Sequence, residues 1–120
     1  MTHTDNNANT QDLPSGEVLT QLAKVLSDRR HADPQSSYVA GLYAKGMEAI
    51  LAKVEEEAGE VLDAARHGDD AHLLHEVADL WFHSMVMLIH RGLQPQQVLR
   101  ELQSRFGISG LDEKAARASK

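Results

Sequence analysis

Between about Ala71 and Arg91 the chain carries a helix-length segment that is apolar almost all the way round. At about 100° per residue, Leu73, Leu74, Val77, Ala78, Leu80, Trp81, Phe82, Met85, Val86, Met87, Leu88 and Ile89 cover nearly the whole circumference. Only a seam roughly 60° wide stays polar, and it holds His72, Glu76, Asp79, His83 and His90. A helix of this kind has to be buried, so its seam is expected inside the protein or along a cleft. Two carboxylates one turn apart in such a place repel each other and lose hydration, at several kcal/mol per ion, unless a cation or proton compensates.

The rest of the chain supplies helices to cover it. Val18, Leu19, Leu22, Val25 and Leu26 recur at helical spacing from Ser15 to about Arg30. Pro34 and the polar run around it then mark a loop, and a short helix is predicted over Tyr38–Ala44, ending near Gly46. A long helix follows from Met47 to His67, with Met47, Ile50, Leu51, Val54, Ala58, Val61, Leu62 and Ala65 as its stripe. Gly68 suits a left-handed helix end, and Asp69 or Asp70 suits the cap of the next helix, so the third and fourth helices form an antiparallel hairpin. Gly92 closes the fourth helix, and Pro95 opens a fifth that runs to about Phe106. The expected fold is an all-α bundle of about five helices with this hairpin at its centre, completed by dimerisation. Residues 1–14, rich in Asn, Thr and Asp, read as a disordered leader, and residues 15–120 as one domain.

Composition narrows the partners. With 18 acidic and 12 basic residues the net charge is -6, the wrong sign for neutralising a phosphate backbone, so no nucleic-acid partner is expected. The absence of Cys removes disulfides, thiolate zinc sites and cysteine nucleophiles. LWFHSMVMLI is too short to span a bilayer and MTHTDNNANT has no apolar core, so a cytoplasmic protein without a membrane partner is expected.

The long third helix adds Glu55, Glu56, Glu57 and Glu60. An isolated E-x-x-E is ordinarily a solvated face. Here, however, Glu57 borders the apolar stripe with Lys53 and Glu60 on the same flank, whereas Glu56 points more nearly away. Glu60 lies eight positions before Gly68 and Glu76 eight positions after it, so hairpin packing brings E-x-x-E and E-x-x-D to one height. Glu57, Glu60, Glu76 and Asp79 are therefore the candidate ligands of a hard cation, Mg²⁺ with Mn²⁺ able to substitute. E-x-x-H and H-E-x-x-H are both absent, which disfavours di-iron and zinc sites. His83, a turn from Asp79, is expected to hydrogen-bond behind the ligands. His75 falls off the seam and reads as structural, and Trp81 and the Met residues as core filling. Lys45 and Lys53 are the candidate phosphate-binding cations, since no Walker-type loop is present.

SSYVAGLYAKGMEAILAKVEEEAGEVLDAA, then HEVADLWFH and FGISGLDEKAAR, closely resemble the phosphoribosyl-ATP pyrophosphatase family of histidine biosynthesis, from about Glu17 to Arg117. E-E-x-x-E and E-x-x-D are shared with the wider MazG-type all-α pyrophosphohydrolases, while S-S-Y-x-A, A-K-G and S-G-L-x-E-K point to this member. The resemblance implies hydrolysis of phosphoribosyl-ATP to phosphoribosyl-AMP and pyrophosphate, with Mg²⁺ on Glu57, Glu60, Glu76 and Asp79. It also implies a homodimer, in agreement with a small domain whose fourth helix is apolar nearly all round. Two positions depart from the pattern: Gly41 stands where a Lys is expected, and Glu55 where a small residue precedes the E-E pair.

Water attack on the α-phosphorus, with Glu56 or Glu57 orienting the nucleophile, is the expected chemistry. Tyr38, Tyr43 and the tail are the expected places for recognition of the phosphoribosyl group. The competing readings are a house-cleaning nucleoside triphosphate pyrophosphohydrolase and a non-catalytic helical interaction module.

Overall fold

The computed structural model describes residues 13–106, so residues 1–12 of the leader expected over 1–14, and the FGISGLDEKAAR tail beyond Phe106, lie outside the described residues. Five α-helices, and no strand among the described residues, follow in order: α1 (Ser15–Asp28), α2 (Tyr38–Lys45), α3 (Met47–His67), α4 (Asp70–His90) and α5 (Pro95–Gln103). A 3₁₀ turn, Arg29–His31, follows α1 directly. The all-α expectation holds, and helix limits fall within a few residues of those read from periodicity. At the C-terminal end, α5 stops at Gln103 and turns, not helix, carry the chain to Phe106.

Local chemistry sets each boundary. Ser37 caps α2 by accepting from the Ala40 backbone N–H at 3.2 Å, and Asp69 caps α4 by accepting from that of His72 at 2.8 Å. Gly92 takes φ 89°, and the Leu93 N–H closes back on the Leu88 carbonyl at 2.8 Å, a left-handed ending that glycine favours. Gly68 differs from expectation. Its φ of -94° and ψ of 171° are extended, not left-handed. Its smallness serves close approach instead: a Cβ there would lie 3.0 Å from the Ala64 carbonyl and 2.7 Å from the His72 ring. The α3–α4 turn is so short that the chain leaves one helix over its own last carbonyls.

The core gathers at one end of the hairpin. Ala23 and Leu26 from α1, Val39, Leu42 and Tyr43 from α2, Ile50 from α3, and Met85, Val86 and Ile89 from α4 form one buried cluster. Leu26, Ile50, Val86 and Ile89 are the fully buried large side chains, each contributing about 1.5–3 kcal/mol of apolar burial. Tyr43 joins them with its ring and donates its hydroxyl to the Leu26 carbonyl at 2.9 Å, and burial raises its pKa.

Because α1 and α2 meet α4 in this C-terminal half, the other half of the hairpin is, among the described residues, covered only by itself. Leu62 on α3 and Leu74 and Trp81 on α4 are consequently exposed, Trp81 at 60%. Trp81 therefore does not fill the core formed by the described residues, contrary to its sequence reading, and those residues do not bury α4 all round.

Candidate metal and catalytic site

The line of α3 that faces α4 runs Ile50, Glu57, Ala64, one residue every two turns, and all three are buried. Two apolar neighbours thus carry a carboxylate between them into the helix interface, where Glu57 is 6% exposed. From α4, Glu76 enters the same space at 9% exposed, with Asp79 one turn further along. Carboxylate oxygens of Glu57, Glu76 and Asp79 all lie within 4.8 Å of one another.

Few donors compensate this charge. Glu57 Oε1 and Glu76 Oε1 are buried and have no hydrogen-bond partner. Such atoms ordinarily cost about 1–3 kcal/mol each, and more when charged. Two unpartnered oxygens of this kind, aimed into a cluster of carboxylates, fit a hard divalent cation and suit Mg²⁺ or Mn²⁺ better than soft metals. Glu60 sits at the solvent side of the cluster. A hydrogen bond with the Glu76 carboxyl, then burial and the neighbouring charges of Glu57, Glu76 and Glu56, raise its pKa. The four residues read from the two motifs are therefore together, with Glu57, Glu76 and Asp79 forming the compact set and Glu60 beside Glu76.

The remaining predicted residues take distinct places. Lys53 Nζ bonds Glu56 Oε1 at 3.0 Å and stands 4.0 Å from Glu57 Oε2. The bond to Glu56 raises the lysine's pKa, so it stays cationic at the edge of the cluster. Glu56 is exposed and held at this rim, and Glu55 is exposed. His83 is buried, but it reaches the backbone of Asp79 and not its carboxylate: Nδ1 lies 2.9 Å from the Asp79 carbonyl. A carbonyl only accepts, so Nδ1 carries the proton, and a neutral ring then accepts at Nε2 from the Tyr38 hydroxyl, 2.9 Å away. Tyr38 thereby ties the start of α2 to the helix bearing Glu76 and Asp79. Lys45 is exposed at the end of α2, away from the Lys53 pairing.

Two histidines gain carboxylate partners that the sequence reading did not assign, His72 on the seam and His75 off it. His72 Nε2 lies 3.1 Å from Glu76 Oε2, and His75 Nε2 lies 3.4 Å from Asp79 Oδ2. The parallel i, i+4 spacing of His72 to Glu76 and of His75 to Asp79 was the available signal. The wheel hid it by treating position 75 as outside the seam.

A buried carboxylate cluster between antiparallel helices, with a lysine at its rim, is chemistry for holding a cation against a phosphate chain. The profile of the phosphoribosyl-ATP pyrophosphohydrolase family matches residues 19–106. The chain is 58% identical over 101 residues to a phosphoribosyl-ATP pyrophosphatase of Chromobacterium violaceum, covering 84% of this chain and 94% of that protein. Proteins of the same name from Azoarcus sp. and Aromatoleum aromaticum are each 54% identical over the same length and coverage. Fold, cluster and these likenesses agree: the chain belongs to the phosphoribosyl-ATP pyrophosphohydrolase family.

Proposed function

We propose that this enzyme hydrolyses phosphoribosyl-ATP to phosphoribosyl-AMP and pyrophosphate in histidine biosynthesis, with Glu57, Glu60, Glu76 and Asp79 holding Mg²⁺. The observation that carries the metal reading is the pair of buried, unpartnered oxygens on Glu57 and Glu76. The substrate reading rests on the family and on relatives covered over 94% of their length.

Bound Mg²⁺ supplies charge neutralisation of the triphosphate and a lower pKa for coordinated water. The protein's own groups do the rest. Glu57 and Glu76, fixed by packing on both helices, would hold the cation with their buried, unpartnered oxygens. Lys53 adds a second positive charge at the rim, beside the path of the phosphates. Glu57 is committed to the cluster, so Glu56, exposed and steadied by Lys53, is the carboxylate available to take the proton of the attacking water. His83 and Tyr38 hold the backbone of α4 in register behind Asp79.

The chain functions as a homodimer in this reading, because Leu62, Leu74 and Trp81 leave the outer half of the hairpin apolar and bare. A cytoplasmic location accords with the pathway, and no helix among the described residues is long and apolar enough to cross a membrane.

Pyrophosphate release with Mg²⁺ from phosphoribosyl-ATP, set against ordinary dNTPs, tests the function. The reading predicts turnover of phosphoribosyl-ATP that Glu76→Ala abolishes. Preference for dNTPs would make the chain a house-cleaning enzyme, and no release from any nucleotide would make it a helical interaction module. In ¹⁸O-labelled water the label should enter phosphoribosyl-AMP; label in pyrophosphate would rule out attack at the α-phosphorus.

A further inference from the structure

An open cleft of about 400 Å³ is walled by the loop before α2 and by α2 itself, and Tyr38 in its lining connects it through His83 to the backbone of Asp79. This size falls within the roughly 300–1,000 Å³ of small-molecule sites. Gln35, Ser36, Ser37, Tyr38, Gly41 and Lys45 line it, and no carboxylate does. In a chain of net charge -6, a carboxylate-free cleft with an ammonium group, linked through Tyr38 to the helix that bears Glu76 and Asp79, is a separation of charge.

The polar groups of the cleft are left with capacity to bind. Lys45 makes no hydrogen bond or ion pair among the described residues, unlike Lys53, which is engaged with Glu56 and Glu57. Ser37 Oγ accepts from the Ala40 N–H at 3.2 Å and from Arg29 Nη1 at 3.5 Å, so its own proton remains to be donated. The Arg29 contact also brings a guanidinium to this edge. Gly41 presents no side chain, and a Cβ there would already meet the Pro34 carbonyl at 3.4 Å, so any larger residue grows into the space. Tyr38 is common to both compartments: it lines the cleft and donates to His83, which in turn holds the Asp79 carbonyl.

Resting on the substrate reading above, we propose that this cleft is the subsite for the phosphoribosyl group, with Lys45 against its monoester phosphate and Tyr38 marking the boundary with the triphosphate site. The substrate carries phosphate at two ends. A monoester bears about -1.5 to -2 charge near neutral pH. It cannot share the carboxylate cluster without a second cation, whereas the cleft offers Lys45 and a free hydroxyl proton. The two lysines then divide the work, Lys53 at the triphosphate and Lys45 at the far phosphate. The cleft is what separates this substrate from an ordinary nucleoside triphosphate, which has nothing to place there.

The test uses ribose 5-phosphate as probe, titrated calorimetrically into the full chain, together with steady-state pyrophosphate release. Wild type and Glu76→Gln should bind the probe alike, while Lys45→Gln weakens it by about tenfold or more, the scale of a lost charge-assisted hydrogen bond. Lys45→Gln and Gly41→Leu should each raise KM for phosphoribosyl-ATP by a similar factor with kcat within about twofold, the mark of lost binding that is equal in ground and transition states. Probe binding that ignores Lys45→Gln, or an effect of Lys45→Gln on kcat without KM, overturns the subsite. Failure of wild type to cleave phosphoribosyl-ATP, with Lys45-dependent probe binding intact, would instead overturn the substrate reading and leave a pentose-phosphate site standing.

Discussion

Glu76→Gln exchanges one buried carboxylate for a neutral amide of nearly the same shape, and it should strengthen the metal-free fold while removing function. Without a cation, Glu76 Oε1 is buried with no partner, and carboxylates of Glu57, Asp79 and Glu60 crowd around it. The amide removes one of these like charges, and its N–H₂ can donate to a neighbouring carboxylate. Relief of one unsatisfied buried group is worth about 1–2 kcal/mol. For a domain of this size that corresponds to a rise in Tm on the order of 5 °C or more in EDTA. The His72 contact to Oε2 persists in weakened form, which sets the lower end of the range. Loss of an oxygen ligand should cost at least ~100-fold in pyrophosphate release, since cation placement supplies several kcal/mol of transition-state stabilisation. Thermal melts with EDTA and with Mg²⁺, run beside the activity assay, give both quantities. A variant that melts lower in EDTA and still turns over at the wild-type Mg²⁺-dependent rate would refute the reasoning, because Glu76 would then be a structural residue.

Gly68→Ala should destabilise by about 1–3 kcal/mol: the His72 ring can move aside, but the Ala64 carbonyl 3.0 Å from the new Cβ cannot, as urea melts would register. The pH dependence of stability should change sign with the cation. The raised pKa of Glu60 means that the folded state takes up a proton before the unfolded chain does, so its contribution is present at low pH and lost as pH rises through the raised value. In EDTA, Tm should therefore gain from Glu60 as pH falls from 7 towards about 5, whereas with saturating Mg²⁺ it should drop over the same range as protons displace the cation. Identical slopes in the two conditions would count against the cluster as a cation site. Trp81→Lys should leave helix content unchanged and shift sedimentation from dimer to monomer, since Trp81 is exposed in the single chain; an unshifted dimer would place the interface elsewhere.

The parts legible in the sequence are those governed by periodicity. Helical spacing locates α3 and α4, and the equal distances of Glu60 and Glu76 from Gly68 bring the two acidic motifs to one height. The seam of α4 points to a buried Glu76, and the structure buries it, because a helix so apolar has nowhere else to put a carboxylate. What stayed hidden depends on contacts between elements. The wheel left Glu57 at the border of the α3 stripe, whereas the structure puts it on the buried line, since α4 covers one side of the stripe and leaves Leu51 and Leu62 bare. Trp81 looked like core because the pattern does not reveal that α1 and α2 cover only half of α4. Gly68 marks the turn as expected, but its role lies in the nearness of Ala64 and not in its dihedrals. The cleft at Lys45 depends on how an irregular loop folds against α2, for which periodicity carries no signal.

Mn²⁺ binding to the nucleotide-free protein, followed by electron paramagnetic resonance, tests the central claim that these carboxylates form a cation site. Wild type should bind Mn²⁺ in competition with Mg²⁺, and Glu57→Gln, Glu76→Gln and Asp79→Asn should each weaken that binding in proportion to their loss of pyrophosphate release. Equal Mn²⁺ binding by wild type and all three variants would contradict it.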